Sequence, residues 1–279
     1  MMSTSFLPRY HSSMPPDAPP DRDLRTFQGL RRIIALLRGP EGCPWDRVQT
    51  HESLRPDLVE ETAEVVAALD EGDSGKLKEE LGDLLFEVLI HVQLAEERGA
   101  FRMADVIRGV SEKLIRRHPH VFASAEADTP DQVVEQWDDL KAKERSGQTA
   151  LAGIPMTLPA LALAQAYQRR AARAGFGWES DEQAWAALTD ELTELRSAGT
   201  PEEVRAESGD VAFALANLLR RLDVDAEDAL RQTSRKFSGR FEAVERMAYE
   251  REIDLKTAEM NVKRGLWGEA KARGPESPR

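Results

Sequence analysis

Apolar residues recur at three- and four-residue spacing along almost the whole chain, and the alternation that marks a strand is nearly absent. Leu24, Leu30, Ile33, Ile34 and Leu37 hold a helical register until Gly39-Pro40 ends it. Gly42-Cys43-Pro44-Trp45-Asp46 reads as a turn-rich connector. Helices are expected over about 55–70, 74–98, 103–117 and 130–145. Asp70-Glu71-Gly72-Asp73-Ser74-Gly75 forms the turn between the first two, Gly99 closes the second, and Pro119 stops the third. The second half repeats this order, with helices over about 158–174, 181–197, 202–222, 226–251 and 258–272. The pattern predicts an all-α protein.

Two of these helices carry an unusual polar face. Glu60, Glu61 and Glu64 lie three and four apart, so they share one face of a helix, and Glu80 and Asp83 do the same on the next. The turn between them folds the two helices antiparallel and lets the five carboxylates converge. A hard divalent cation with oxygen ligands would relieve their repulsion, and an oxygen-only set favours Mg²⁺ or Mn²⁺. The competing reading is a pair of solvated helix faces. The apolar run Leu84-Leu85-Phe86 argues against it, because it sets the acids at the margin of a buried helix. Gly82 costs that helix ~1 kcal/mol relative to Ala, which points to close approach of a neighbouring helix. A ferritin-type dinuclear centre needs Glu-x-x-His on two helices, and none of the five histidines has a Glu three residues before it.

The acidic pattern returns later in the chain. Asp190-Glu191-x-x-Glu194 answers Glu60-Glu61-x-x-Glu64 at an offset of 130, and Glu207-x-Gly209-Asp210 answers Glu80-x-Gly82-Asp83 at 127. Ser111-x-Lys113-Leu114-x-x-Arg117 answers Ser234-x-Lys236-Phe237-x-x-Arg240 at 123, and Trp137 with Lys141 answers Trp267 with Lys271 at 130. Four features in one order at a nearly constant offset predict two tandem homologous helical-bundle domains. The expected boundaries are a Pro/Ser-rich disordered tail over 1–22, a first domain over 23–146, a linker over 147–157, a second domain over 158–273 and a short tail over 274–279.

Composition narrows the function. A net charge of −12 argues against a protein that grips a nucleic-acid polymer, which needs a basic face. No run of about 18 apolar residues is available to span a membrane. One cysteine, Cys43, excludes an internal disulfide framework and fits the cytosol; it is expected as a small buried hydrophobe. Lys113 with Arg117, and Lys236 with Arg240, stand i and i+4, where they suit a phosphate clamp as well as a pair of surface cations. His118 and His120 read as surface or capping residues. The tryptophans read first as core or interface aromatics, with stacking on a base as the minor option.

Taken together, these residues resemble the MazG family of all-α nucleoside triphosphate pyrophosphohydrolases. Beyond Glu-Glu-x-x-Glu and Glu-x-x-Asp, the resemblance rests on Cys43-Pro44-Trp45-Asp46, Gln49-Thr50-His51, Glu80 to Phe86, Arg116 to Phe122, and Leu266-Trp267, and it spans about residues 23–273. It implies cleavage of NTPs or dNTPs between the α and β phosphates, Mg²⁺ dependence, a homodimer, and clearance of unwanted nucleotides. On this reading Glu60, Glu61, Glu64, Glu80 and Asp83 in one half, and Asp190, Glu191, Glu194, Glu207 and Asp210 in the other, hold metal. One Glu among Glu60, Glu61, Glu64, Glu191 and Glu194 acts on the attacking water. Lys113, Arg117, Trp137, Lys236, Arg240 and Trp267 face the substrate. The first half keeps the more complete motif, since Asp190 and Ser208 depart from it in the second, whereas in relatives of this layout the C-terminal half can be the working one. Two other readings stay open: a non-catalytic nucleotide- or protein-binding module, and a hydrolase of another pyrophosphate such as phosphoribosyl-ATP or an alarmone.

Overall fold

The structure, a computed structural model, describes residues 23–144, 147 and 149–273; the two expected tails lie outside these residues. Every regular element among them is helical. Contacts divide the chain into two compact units between Asp138 and Asp139. The first contains α1 (Phe27–Leu37), α2 (Pro44–Val48), α3 (Arg55–Glu71), α4 (Ser74–Glu97), α5 (Met103–Arg117), α6 (Pro119–Phe122) and the start of α7 (Pro130–Glu144). The second contains the end of α7, α8 (Ala160–Arg173), α9 (Asp181–Ser197), α10 (Pro201–Arg221), α11 (Ala226–Glu250) and α12 (Met260–Arg273).

In each unit the central feature is an antiparallel helical hairpin whose ends are set by local chemistry. Helix α3 stops at Gly72, whose φ of 68° is the left-handed conformation that glycine adopts without steric cost. One residue later the carboxylate of Asp73 accepts from the amides of Gly75 and Lys76 and starts α4. In the second unit Thr200 and Glu203 form a reciprocal capping box before α10, with Pro201 in its first turn. Ser180 and Asp225 cap α9 and α11 by accepting from the amides of Gln183 and Asp228.

The cores then hold each hairpin against a preceding helix. In unit 1, Leu89, Ile90, Val92 and Leu94 of α4 pack with Ile34 of α1, Leu54 and Met103. Burying each large aliphatic side chain contributes about 1.5–3 kcal/mol. Ion pairs add to this docking: Arg31 meets Glu96 at 2.8 Å, and Arg38 donates to both oxygens of Glu97. In unit 2, Leu218 of α10 packs with Ala184 and Leu188 of α9. Here neutral amides do the tying. Gln165 on α8 donates to the carbonyls of Ala216 and Val224 and accepts from the amide of Ala226. A separate cluster of Val244, Met247, Ala248, Leu266 and Ala270 joins α11 to α12.

Three local expectations change. Gly42–Asp46 is not simply a turn, because Pro44 opens a five-residue helix whose Asp46 is buried. Proline suits that first position, since its missing amide proton has no helical partner there. Gly82 meets no neighbouring helix: a Cβ there would enter open space, as would one at Gly209. Cys43 is half-buried rather than enclosed. Within the segment expected as a linker, Ile154 is buried and Arg170 donates to the Ala152 carbonyl.

Candidate functional site

The helical hairpins bring the acids together as their spacing predicts. Carboxylate oxygens of Glu61, Glu64 and Glu80 lie within 4.8 Å of one another, and so do those of Glu191, Glu194 and Glu207. These are the same positions at the offsets read from sequence, and the exposure pattern also matches: the middle Glu is open and the outer two are half-buried. Glu60 and Asp83 flank the first triad, and Asp190 and Asp210 the second, as the strongest charged neighbours along with the triad members.

Burial, followed by the charges of Glu64, Asp83, Glu80 and Glu60, pushes the Glu61 carboxyl above the usual carboxylate range. Glu191 is raised for the same reasons, with Glu194, Asp210, Glu207 and Asp190 as its neighbours. The Glu61 Oε2 is also buried without a hydrogen-bond partner. A set of hard oxygen donors, mutually repelling and in part unpartnered, fits a divalent cation such as Mg²⁺. The cation would reverse each of these shifts.

The predicted basic residues lie on helices other than those that carry the acids. Neither pair ranks among the strongest charged neighbours of Glu61 or Glu191. Lys113 and Arg117 lie on α5, which packs against α6 and is exposed from Ala104 to Arg116. The Arg117 guanidinium stands 5.7 Å from the centre of the Trp137 ring, within cation–π range, and His118 meets the same ring edge-on. Lys236 and Arg240 lie on α11 beside Phe237, which contacts Trp267 at 5.3 Å between ring centres. Trp267 belongs to the α11–α12 core.

Behind the acids the two units part company. In unit 2 a cavity of about 620 Å³ opens next to Glu191 and Asp210. Its apolar wall includes Tyr167, Phe176, Trp178 and Phe213, and Ala187 and Ala214 leave the floor low. Gln168, Asn217 and Arg220 supply its polar groups. Of these, the sequence alone marks only Trp178, as a core or interface aromatic. Neutral amides and small residues scattered over α8, the turn at 175–178, α9 and α10 carry no spacing signal.

At the corresponding offset, unit 1 has Glu87 in place of Ala214, Ile90 in place of Asn217 and Asp57 in place of Ala187. Glu87 and Ile90 are both buried. Burial first, then the charges of Asp57 and Glu61, pushes the Glu87 carboxyl up to about 6. One turn on, His91 pairs with His51 through their Nδ1 atoms at 2.8 Å. Burial and the neighbouring His51 hold His91 below its usual value.

The sequence model of the MazG nucleotide pyrophosphohydrolase domain matches residues 49–122, which contain the first acidic hairpin. The chain is 43% identical over 247 residues to the nucleoside triphosphate pyrophosphohydrolase/pyrophosphatase MazG of Thermotoga maritima, covering 88% of this chain and 95% of that protein. It is 38% identical over 251 residues to the nucleoside triphosphate pyrophosphohydrolase of Escherichia coli K12, covering 87% of this chain and 95% of the relative. It also matches the protein YabN of Bacillus subtilis at 42% identity over 88% of this chain and 51% of that protein. The chain belongs to the MazG family of nucleoside triphosphate pyrophosphohydrolases.

Proposed function

We propose that this chain hydrolyses nucleoside triphosphates between the α and β phosphates, releasing a nucleoside monophosphate and pyrophosphate, and that the hairpin of α9 and α10 carries the reaction. The observation that carries the assignment to this half is the cavity beside Glu191 and Asp210. A triphosphate needs an acidic metal grip and adjoining space for the nucleoside, and unit 2 combines the two. In unit 1 the corresponding positions hold a buried carboxylate and a buried isoleucine.

Glu191, Glu194, Glu207 and Asp210, with Asp190 beside them, are the residues that would hold Mg²⁺. When bound, Mg²⁺ supplies the positive charge that draws the phosphate chain to an otherwise anionic surface and polarises it toward attack. The protein groups do the rest. A Glu of the cluster that keeps a free oxygen orients the attacking water and takes its proton. Glu194, the exposed middle member of the triad, is open enough to reach it. The water attacks the α phosphorus, the α–β anhydride bond breaks, and pyrophosphate leaves with the bonding electrons. Lys236 and Arg240 suit the task of neutralising charge on that leaving group.

A homodimer fits this picture, because the helix that carries Lys113 and Arg117 is uncovered in one chain. Val106, Ile107, Val110, Leu114 and Ile115 of α5 are all exposed, as are Leu81 and Leu85 of α4. A second copy would cover this apolar face. We place the protein in the cytosol, in keeping with its single cysteine. Among the described residues no helix is long and apolar enough to cross a membrane. Removal of unwanted nucleotides is the role that this reaction suits.

The test is Mg²⁺-dependent release of pyrophosphate from a panel of NTPs and dNTPs, with phosphoribosyl-ATP and a dinucleotide alarmone alongside. Stoichiometric monophosphate and pyrophosphate, abolished by chelator and restored by Mg²⁺, is the expected result. Release of orthophosphate, or turnover of the non-NTP compounds alone, contradicts it.

A further inference from the structure

One stretch of the cavity wall in unit 2 is not held in place by burial. Residues 173–179, which join α8 to α9, are all exposed, yet Gly175, Phe176, Gly177 and Trp178 line the cavity. Phe176 is 82% exposed and Trp178 46% exposed, so neither ring anchors the segment in a core. Backbone and polar ties set its shape instead. The amides of Gly175 and Phe176 donate to the carbonyls of Ala172 and Ala171, with Gly175 at a φ of 85°. Gly177 runs so close to α8 that a Cβ there would stand 3.0 Å from the Ala172 Cβ. These contacts tie the turn to α8. The tie to α10 is Arg221, in the last turn of that helix. Its Nη1 donates to the Trp178 carbonyl, and its Nε pairs with Asp181 Oδ1 at 2.9 Å. One guanidinium thus holds both the end of the turn and the first residue of α9. A planar fork makes two such bonds in fixed directions, which the point charge of a lysine does not.

We infer that Arg221 is a positioning residue for the reaction: by tying the Phe176–Trp178 turn and the start of α9 to α10, it keeps the cavity wall where the nucleoside end of the substrate needs it. The inference rests on the reading of α9 and α10 as the catalytic hairpin. Arg221 stands eleven residues beyond Asp210 on the same helix, about 16 Å along its axis, so it acts well away from the acids. An exposed wall segment moves easily once its polar ties are cut. Misplacement of a substrate-positioning surface by ~1 Å can cost as much as about 100-fold in rate. Here the displaced groups lie at the cavity and not at the acids, so the loss falls on binding of the whole nucleotide rather than on the chemical step.

Two substitutions in the full chain test this. Arg221→Met removes both bonds and keeps the length of the apolar stem, whereas Arg221→Lys keeps a charge for Asp181 and loses the fork. Circular dichroism and thermal unfolding check that both variants are folded. The readouts are kcat and KM for one NTP, together with the inhibition constant of inorganic pyrophosphate, which meets the metal-holding acids but carries no nucleoside. In Arg221→Met, KM should rise by at least about fivefold while kcat and the pyrophosphate constant stay within about twofold of wild type. Arg221→Lys should fall between the two. A KM within twofold of wild type in Arg221→Met overturns the inference. So does a parallel rise in KM and the pyrophosphate constant, which would mean that the whole hairpin has loosened and that Arg221 is merely structural. Glu194→Ala keeps the two levels apart. If it abolishes release while Arg221→Met leaves KM unchanged, the positioning role alone is wrong; full release in Glu194→Ala removes the catalytic reading beneath it.

Discussion

The acidic triads of the two units match position for position, yet the space behind them does not. Behind Glu61 and its neighbours stand a buried Glu87 and Ile90; behind Glu191 and its neighbours lies a cavity edged by Ala214 and Asn217. The half with the more complete sequence motif is therefore the half with more charge and less room. A metal grip alone is half of a nucleotide site. The difference teaches that motif integrity reports on the acids, and that function depends as much on the small residues that leave space beside them.

The comparison can be broken most forcefully by moving the filling residue from one half to the other. Ala214→Glu gives unit 2 the residue that unit 1 has, and kcat/KM for pyrophosphate release should fall by about 100-fold, a loss near 3 kcal/mol in transition-state binding. Circular dichroism on the same sample checks that the helices persist. A variant that is folded and fully active would mean that the cavity is not used.

A smaller effect sharpens the contrast in how each hairpin is docked. Unit 1 uses ion pairs between α1 and α4, whereas unit 2 uses Gln165, 1% exposed, to satisfy two carbonyls and an amide at once. Gln165→Leu removes all three bonds and leaves the Val224 carbonyl and the Ala226 amide without this partner, which should cost about 2–4 kcal/mol. Urea unfolding measures it, and the cost should be the same at low and high salt because no charge is involved.

The smallest effect concerns Glu87. Its folded carboxyl titrates at about 6, above the ordinary 4.5, so the fold favours its protonated form. Stability from this group is therefore full below about pH 4.5 and is lost as pH rises through about 6. Glu87→Gln should stabilise the metal-free protein by up to about 2 kcal/mol at pH 7.5, and by little at pH 4.5. Thermal unfolding across that range reads both the sign and the slope. An equal gain at the two pH values would show that its charge is not the cause.

Much of this was legible in the sequence because the determinants are local. Gly72, Asp73, Thr200 and Pro201 fix helix ends within a few residues, so the hairpins and their convergent acids follow from spacing alone. The short helix at Pro44–Val48 was not legible, since five residues give less than two turns of periodicity. Gly82 misled because a glycine inside a helix signals close approach or open space equally well, and here the space is open. The cavity was beyond reach for a different reason. It is made by residues from separated segments, and its amides and small residues carry no spacing signal. The basic pairs were placed on the correct helices, but their relation to the acids depends on packing that no spacing encodes.

The most direct test of the central claim is pyrophosphate release by Glu64→Ala and Glu194→Ala, each measured in saturating Mg²⁺ with the same NTP. Each change removes the exposed member of one triad, so folding is affected alike. Glu194→Ala should lower kcat by about 100-fold or more, as loss of a group that acts on the reacting atoms does. Glu64→Ala should stay within about threefold of wild type, because Glu87 and Ile90 fill the positions that Ala214 and Asn217 hold at the cavity of unit 2. The reverse pattern, with Glu64→Ala inactive and Glu194→Ala unimpaired, would place the reaction in the first unit and contradict the account.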